Sequence, residues 1–447
     1  MSSKTGENVG PFHPSGAVLD IAKKLEGAGF ETWCVGGAVR DALLGHPHLD
    51  WDLATAATPQ QVRRLFRRTI PVGIEFGTVG VLDERGVMHE VTTFRRDVKT
   101  DGRHAVVEFG ASLEDDLARR DFTINAMAYS PGRDVLVDPF GGKKDLDARL
   151  VRAVGAPDQR MREDRLRALR AIRFASRFGF DIEPATWTAI VASASQLRRL
   201  SMERVKQELE KTMEQVERPS HALRLWRESG ALAALIPALA EVSEVALGAM
   251  DEMAQPVTGA RAAGPGRPDR RMNRFVALFS DLDPESAGRA LRDLRFSNAD
   301  IAWITSVLAR WRQIEKELRE ELLRPTFPPA ATVRRWVGAA GRTRVRAVLR
   351  LAAARFAAER RSSGEAPSAP RMRILYREAL RTAFRDPVEI SDLAVDGDDL
   401  RATGIPPGPM LGRILTLLLT DVLVDPTRNT SEWLVPRARD LFSQLER

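Results

Sequence analysis

The chain has 447 residues, a formal net charge of +7 and a single cysteine, Cys34. One cysteine excludes an intramolecular disulfide and any cysteine-rich zinc site. No apolar run reaches the ~18 residues that a membrane helix needs. Residues 1–14 lack the apolar core of a signal peptide, which predicts a cytoplasmic protein. Arginine is far commoner than lysine, which suits a polyanionic partner, although a bias in base composition would give the same enrichment.

Helices and strands are predicted to alternate over residues 16–155. An apolar strand at Trp33–Val35 leads through a glycine pair into a helix that opens at Ala38. Val79–Leu82 and Val87–Phe94 are predicted to form a hairpin, because β-branched residues flank a turn-forming segment. Cys34 lies in the first strand and is expected to be a small core residue.

Helices alone are predicted from Pro157 onward, where alanine, leucine, arginine and glutamate dominate. Two segments, Gln255–Arg271 and Ser362–Arg371, are rich in proline, glycine and alanine and are expected to be loops or disordered insertions. All histidines precede residue 222; they are His13, His46, His48, His89, His104 and His221. The helical C-terminal half therefore has no histidine with which to build a histidine–aspartate phosphohydrolase site.

A glycine pair and an aspartate pair indicate the chemistry. Gly36 and Gly37 stand between a predicted strand and a helix, where phosphate oxygens can approach backbone N–H groups. Asp50 and Asp52 are one residue apart on the next predicted strand, so their carboxylates point to the same side. Such a pair suits Mg²⁺ held together with substrate phosphates. Each feature alone is common on surfaces, but their combination indicates phosphoryl or nucleotidyl transfer.

Five blocks of sequence resemble the class II tRNA CCA-adding enzymes and bacterial poly(A) polymerases, in the same order and with similar spacing. The blocks are Cys34–Leu53, Arg95–His104, Arg119–Met127, Arg162–Arg167 and Ser201–Val205. They cover the first half of the chain densely, whereas the C-terminal half matches only loosely.

The resemblance implies an α+β fold, with an N-terminal nucleotidyltransferase head (a mixed sheet with helices) followed by an all-α neck, body and tail. The implied boundaries are a flexible N-terminus 1–15, head 16–155, neck 156–215, body 216–325 and tail 326–447. The implied activity is addition of CCA to the tRNA 3′ end from CTP and ATP, without a nucleic-acid template and with release of pyrophosphate. The expected partners are tRNA and the two nucleotides, with no membrane and no second protein.

The resemblance also assigns roles to single residues. Asp50 and Asp52 would be catalytic and would hold Mg²⁺ between the triphosphate and the attacking hydroxyl. Apart from the resemblance, Glu90 is a possible third acid because it lies on a nearby predicted strand, or equally a solvent-facing strand glutamate. Further nucleotide contacts are expected from Gly37, Arg40 and Arg120. For Arg120 the alternative is a charged turn that follows a helix.

Asp164, Arg167, Arg170 and Arg173 recur every three residues, which on one helix would align them along one side. A carboxylate can accept from the exocyclic amine of cytosine or adenine, and a guanidinium can donate to the adjacent ring nitrogen. Guanine and uracil present a carbonyl there, so an Asp164–Arg167 edge would reject GTP and UTP. Arg170 and Arg173 would then bind the triphosphate. The alternative is a salt-bridged surface helix in which Glu163 pairs with Arg167.

Several alternatives stay open. Thr100–Arg103 resembles the loop that CCA-adding enzymes need to switch from C to A addition, but it is also a plain hairpin tip. A poly(A) polymerase, an enzyme adding only A or only CC, and an inactive RNA-binding protein are the rival functions. Arginine clusters between residues 334 and 350 could line a tRNA groove or form solvated faces.

Overall fold

The computed structural model describes residues 12–46, 51–100, 105–253 and 269–445. They divide into two compact units, the first made of the described residues up to 208 together with 224–235, and the second of residues 209–223 together with the described residues from 236 onward. All described strands lie in the first unit, and the described part of the second is helical. The predicted α+β architecture, with the mixed sheet at the N-terminal end, is thereby confirmed.

Within the described residues, the main sheet has seven strands in the order β3-β4-β5-β2-β1-β8-β9. Only the β2–β5 pair is parallel, so the sheet is mixed. The strands are β1 Thr32–Val35, β2 Asp52–Thr55, β3 Thr69–Gly73, β4 Thr78–Leu82, β5 Met88–Thr93, β6 Arg95–Thr100, β7 Ala105–Phe109, β8 Ala128–Ser130, β9 Val135–Val137, β10 Leu150–Val151 and β11 Asp181–Ile182.

The centre of the sheet positions the aspartate that was predicted to be catalytic. Strand β1 (TWCV) is buried along its whole length, as expected for an apolar strand covered on both faces. It pairs with β2 so that Val35 stands opposite Asp52. Asp52 therefore lies at the strand end where β1 turns into the glycine pair. Asp50 lies outside the described residues.

The structure contains the strands of both predicted hairpins. β4 and β5 pair antiparallel, as predicted from their β-branched residues. β6 and β7 form a separate antiparallel pair whose last register position is Thr100 opposite Ala105. Residues 101–104, which include most of the predicted switching loop, lie outside the described residues.

The helices of the chain follow in order. They are α1 Gly16–Gly27, α2 Gly37–Leu43, α3 Pro59–Leu65, α4 Leu113–Ala118, α5 Gly142–Asp147, α6 Pro157–Glu163, α7 Leu166–Phe178, α8 Pro184–Ser193, α9 Met202–Gln215, α10 Pro219–Glu228, α11 Ala231–Leu235, α12 Glu244–Glu252, α13 Asp269–Leu278, α14 Pro284–Asp293, α15 Asn298–Leu323, α16 Ala330–Ala340, α17 Val345–Ser362, α18 Ala369–Arg385, α19 Gly397–Ala402, α20 Pro409–Val424 and α21 Ser431–Leu445. Short 3₁₀ helices lie at Ile74–Phe76, Thr123–Asn125, Ala194–Arg199, Pro237–Leu239, Ile390–Asp392 and Pro426–Arg428.

Three sequence predictions about element boundaries need correction. The chain after Pro157 is not wholly helical, because β11 pairs in parallel with β10; a two-residue strand is too short to show a β-branched run. Residues 254–268 lie outside the described part, but α13 begins at Asp269, inside the predicted break. In the second predicted break, α18 likewise resumes at Ala369, with Pro370 in its first turn, where proline is tolerated.

The second unit is held together by apolar helix faces. Trp311 of α15 and Phe356 of α17 are both buried and meet edge to face, with ring centroids 6.0 Å apart. Nearer the C-terminus, Ile414, Leu418 and Leu434 join a separate core cluster of α19, α20 and α21. No helix in the described ranges is both long and apolar enough to cross a bilayer.

Candidate active site

A cavity of about 430 Å³ opens in the first unit, within the size range of small-molecule sites. Its lining brings together most of the residues predicted from the sequence. The lining residues are Gly36, Gly37, Arg40, Asp52, Arg119, Arg120, Asp121, Asn125, Asp164, Arg167, Arg170 and Phe174. Five are arginines and three are aspartates, so the wall carries an excess of positive charge suited to a triphosphate.

The glycine turn at the end of β1 has a steric reason. Gly36 adopts φ +74°, a left-handed conformation that favours glycine. A Cβ at Gly36 would lie 2.9 Å from Nη1 of Arg120, and one at Gly37 would lie 3.4 Å from Nη2 of Arg40. The glycines thus let two predicted nucleotide-binding arginines lie against the backbone.

Arg40 is 3% exposed, yet its guanidinium is well satisfied. It pairs with Asp41 at 2.6 Å and donates to Oδ1 of Asn125. The rings of Phe174 and Phe178 lie 5.1 and 4.7 Å from its Cζ. Burial lowers the pKa of Arg40, and the Asp41 carboxylate opposes that shift. The packing fixes this guanidinium at the wall of the cavity.

Asp116 holds the two arginines that follow α4. Its side chain is fully buried and forms ion pairs of 2.8 Å with Arg119 and 3.0 Å with Arg120. Burial alone would raise the pKa of Asp116, but the two guanidinium groups bring it below its usual value. The charged turn anticipated as the alternative is therefore present, and the same contacts place Arg120 on the cavity.

Asp121 is the residue whose importance the sequence did not reveal. Its Oδ2 accepts from Nε and Nη2 of Arg170 at 2.8 and 2.6 Å. Its Oδ1 accepts from the Phe122 amide and from Nδ2 of Asn125. Burial would raise the pKa of Asp121, but Arg170 and these hydrogen bonds lower it to about 2. An ionised carboxylate with four donors orients Arg170 and is poorly suited to act as a base.

The prediction that one helix carries Asp164, Arg167 and Arg170 is wrong at its first residue. α6 ends at Glu163, and Asp164 is extended, with φ −148° and ψ 106°. Oδ1 of Asp164 accepts from the Leu166 amide at 3.1 Å, which stabilises the start of α7. Its Oδ2 accepts from Nη2 of Arg204 at 2.7 Å. Asp164 nevertheless lines the cavity together with Arg167.

Arg167 is buried, unlike a surface salt-bridge residue. Three of its N–H groups donate within the protein, to the Arg160 carbonyl, to Oε2 of Glu163 and to the Arg119 carbonyl. The anticipated Glu163 contact exists at 2.8 Å, but it orients a residue on the cavity wall. Two of the five guanidinium N–H groups are left over for a ligand.

Arg173 does not line the cavity, although it lies on α7 with Arg167 and Arg170 and shares Glu208 with Arg170 as an ion-pair partner. Its Nε donates to Oε2 of Glu208 at 2.7 Å, and its side chain is 4% exposed. A buried glutamate needs a paired cation, and Arg173 supplies it. The predicted triphosphate contact of Arg173 has no support in this arrangement.

Asp52 and Glu90 occupy equivalent positions on neighbouring strands. Leu53 of β2 pairs in parallel with Val91 of β5, and the two acids directly precede these residues. Adjacent positions on parallel strands project to the same side of a sheet. Over the described residues, no three metal-ligating side chains form a cluster. The Asp52 carboxylate offers the hard oxygen ligands that Mg²⁺ and related ions prefer.

Comparison with known proteins decides the family. A model of the poly A polymerase head domain matches residues 32–152, and a model described as a probable RNA and SrmB-binding site of polymerase A matches residues 179–242. The CCA-adding enzyme of Latilactobacillus sakei is 34% identical over 94% of this chain and 97% of its own length. That of Geobacillus kaustophilus is 35% identical over 95% of this chain and 98% of its own length. The chain belongs to the CCA-adding enzyme family.

The structures of CCA-adding enzymes agree with this assignment. The Bacillus stearothermophilus CCA-adding enzyme, solved in complex with CTP, superimposes with a TM-score of 0.71 and 31% identity, covering 96% of this chain and 98% of that one. The Thermotoga maritima enzyme, at 24% identity and a TM-score of 0.64, shows the same fold. As a member of the CCA-adding enzyme family, the chain is a nucleotidyltransferase, and such enzymes generally use a divalent metal ion.

Proposed function

We propose that this protein adds C, C and A to the 3′ end of tRNA, taking the nucleotides from CTP and ATP with Mg²⁺ and no nucleic-acid template, and releasing pyrophosphate. One observation carries the proposal: a single cavity presents a candidate metal carboxylate, several arginines and an Asp164–Arg167 pair. The names of the full-length relatives favour CCA addition over polyadenylation.

Asp50 and Asp52 are the residues proposed to hold Mg²⁺. The bound ion would lower the pKa of the attacking hydroxyl and stabilise the departing pyrophosphate. Glu90 is proposed as a third acid, on the strength of its position beside Asp52 across the β2–β5 pair.

Arg40, Arg120 and Arg170 are proposed to bind the triphosphate at the cavity wall. Each is held by a carboxylate: Arg40 by Asp41, Arg120 by Asp116 and Arg170 by Asp121. Guanidinium groups that are already oriented lose little entropy when they bind phosphate, and their fork geometry suits its oxygens. Gly37 would give the phosphates room against the backbone.

Asp164 and Arg167 are proposed to read the base. Asp164 is fixed by Arg204 and by the Leu166 amide, and its carboxylate can accept from the amine of cytosine or adenine. Arg167 is fixed by two carbonyls and Glu163, and it retains N–H groups for a ring nitrogen. Such a rigid edge would select C and A and leave acceptor facing acceptor with G or U.

The subdivision into head 16–155, neck 156–215, body 216–325 and tail 326–447, with tRNA bound by the tail, is part of the same proposal. So is the assignment of Thr100–Arg103 to the switch from C to A addition. Because its substrates would be tRNA and nucleoside triphosphates, the reaction is proposed to take place in the cytoplasm.

The decisive experiment supplies a tRNA lacking its 3′ CCA with labelled CTP, labelled ATP, or both. CCA addition predicts two C residues and then one A. A long A ladder would indicate a poly(A) polymerase, and C alone or A alone would indicate a partial enzyme. No product with intact RNA binding would indicate an inactive binding protein.

Asp52→Asn is the matched control for that experiment, because the change removes a metal ligand charge and leaves the arginines of the cavity wall. We expect transfer to fall about 10²–10³-fold, the range seen on loss of one transition-state-stabilising group, with tRNA affinity unchanged. Activity within tenfold of wild type, measured at saturating nucleotide, would remove Asp52 from the mechanism.

A further inference from the structure

A second cavity, of about 150 Å³, lies within the second unit among α12, α17 and α18. Its floor is apolar and built mainly of alanine, and its polar lining consists of Arg350, Arg360, Arg373 and Glu252. Glu252 is itself engaged, since it forms an ion pair with Arg361. The lining therefore carries more guanidinium charge than carboxylate charge.

Two of these arginines have no hydrogen-bond or ion-pair partner among the residues that the structure describes. Within the described ranges, Arg350 and Arg373 make neither a hydrogen bond nor an ion pair, although both are half-buried. Nε of Arg350 is shielded from solvent without an acceptor. Arg360 donates to the Pro367 carbonyl, and the nearby Glu252 and Glu359 carboxylates act on its charge. Three lining guanidinium groups against one lining carboxylate, which is itself paired with Arg361, leave a net positive charge that favours the uptake of an anion.

The start of α18 adds to this preference. Ala369 and Met372 of its first turn also line the cavity, and Ser368 at the N-cap makes no side-chain capping bond. The N-terminal end of a 17-residue helix carries partial positive charge. The cavity is smaller than the ~300 Å³ at the low end of sites for whole small molecules, so it suits one anionic group and not a nucleotide.

We propose that Arg350, Arg360 and Arg373, together with the start of α18, form a binding site for a single phosphate group, separate from the nucleotide cavity. The phosphate comes either from the backbone of the RNA substrate or from a free phosphate ion. The RNA form of the proposal rests on the proposed function, whereas the free-ion form does not.

The test compares two double variants that remove equal charge from the same two helices. R350Q/R373Q removes the unpartnered arginines of the cavity. R346Q/R377Q removes Arg346 and Arg377, which are exposed, lie one helical turn away and do not line it. The single variants Arg350→Gln and Arg373→Gln replace the double variant if it does not fold.

The first readout is hydrogen exchange in the first turns of α18, with inorganic phosphate added and chloride matching the ionic strength. Phosphate should slow exchange there in wild type and in R346Q/R377Q, but not in R350Q/R373Q. Both double variants keep the nucleotide cavity, so any protection that phosphate confers from that cavity is common to all three proteins. Equal protection in all three proteins, or none in any of them, would overturn the site.

The second readout is the salt dependence of tRNA affinity, which identifies the source of the phosphate. Loss of one backbone contact should reduce the slope of log K against log salt by about 1 in R350Q/R373Q relative to R346Q/R377Q. If phosphate no longer slows exchange in R350Q/R373Q while its salt slope equals that of R346Q/R377Q, the site binds free phosphate and not the RNA backbone. C addition at saturating tRNA should be the same in both variants. A wild-type protein that adds no nucleotide would refute the proposed function and leave the exchange result standing.

Discussion

Gly36 has two separate reasons to be glycine, and they can be tested apart. Its φ of +74° strains any other residue, and a Cβ there would meet the Arg120 guanidinium at 2.9 Å. Gly45 has a similar φ of +70°, but a Cβ there would meet nothing within 4 Å. Comparing substitutions at Gly36 and Gly45 therefore separates the effect of backbone strain from the effect of displacing Arg120.

We predict that Gly36→Ala and Gly45→Ala each cost about 1–3 kcal/mol of unfolding free energy, because both hold an alanine at positive φ. Only Gly36→Ala should also raise KM for CTP, since only there is a nucleotide-binding arginine displaced. Urea unfolding and initial rates of C addition measure the two effects. Equal KM values in both variants would show that Arg120 tolerates the methyl group.

Asp121 should make part of the stability of the protein depend on pH. The pKa of Asp121 is about 2 in the folded protein, against 3.8 as its ordinary value. A carboxyl with a lowered folded pKa stabilises the protein above its unfolded pKa, and that contribution is lost as pH falls toward the folded pKa. The window is therefore about pH 4 down to pH 2, and the contribution above it is about 2 kcal/mol.

Asp121→Asn removes this titratable carboxyl group and, with it, the anionic partner of Arg170. We predict that it lowers the free energy of unfolding by at least about 2 kcal/mol at neutral pH, and that its difference from wild type shrinks as pH falls below 4. Urea titrations between pH 7 and 3 measure the difference. Asp20→Asn, which alters an exposed aspartate on α1, is the control and should show no such convergence. A pH-independent difference for Asp121→Asn would mean that the loss comes from packing.

The junction between α6 and α7 is the element on which base selection is proposed to rest. Asp164 sits in the break, with Arg204 of α9 as its ion-pair partner at 2.7 Å. If Asp164 reads the base, Arg204 acts only by positioning it. The two side chains should then behave as one unit in a double-mutant cycle.

We predict that Asp164→Ala lets UTP and GTP gain about tenfold to a hundredfold on CTP and ATP, the range for loss of a bidentate base contact. Arg204→Ala should cause a smaller loss of discrimination, and the double variant should match Asp164→Ala alone. Competition assays with paired nucleotides measure the ratios. Unchanged preference in Asp164→Ala would place base selection elsewhere in the chain.

Elements that a short segment of sequence determines could be predicted, whereas elements that depend on contacts with residues distant in sequence could not. The strand β1, its glycine turn and α2 follow from apolar residues and two adjacent glycines within one short segment. Asp164 was placed on a helix because helical residues flank it on both sides. Its extended backbone depends on the Leu166 amide and on Arg204, 40 residues away in sequence.

The same distinction explains the candidate site. Gly37 and Asp52 were found because glycine and carboxylate spacing carries a chemical meaning within a short motif, and Arg40 followed from the family resemblance of that motif. The partner of Asp121 is Arg170, 49 residues further along, and that of Arg173 is Glu208, 35 residues further along. No spacing rule links such residues, so only the fold shows which arginines are taken up by ion pairs and which remain on the cavity.

At the scale of the whole molecule, the two units are interleaved in sequence. Residues 224–235 belong to the first unit, although residues 209–223 belong to the second. α11, within the returning segment, contacts the 3₁₀ helix Ala194–Arg199 of the first unit. Leu232 is fully buried there, and Gly230 lies so near Ala194 that a Cβ would be 3.4 Å from the Ala194 side chain.

This arrangement predicts that the first unit needs the returning segment to fold stably. A chain truncated after residue 208 leaves the apolar side of Ala194–Arg199, including the buried Leu197, exposed to water. Because burial of each large aliphatic side chain contributes about 1.5–3 kcal/mol, loss of the α11 contacts should cost several kcal/mol. We therefore expect the 1–235 chain to unfold at a higher urea concentration than the 1–208 chain and to bind CTP more tightly.

Leu232→Ala within the 1–235 chain is the matched control. Its urea midpoint should lie between those of the 1–208 and 1–235 chains, with a loss of about 2–5 kcal/mol of unfolding free energy relative to 1–235. Identical urea midpoints for 1–208 and 1–235 would show that residues 224–235 are dispensable for the fold that holds the nucleotide cavity.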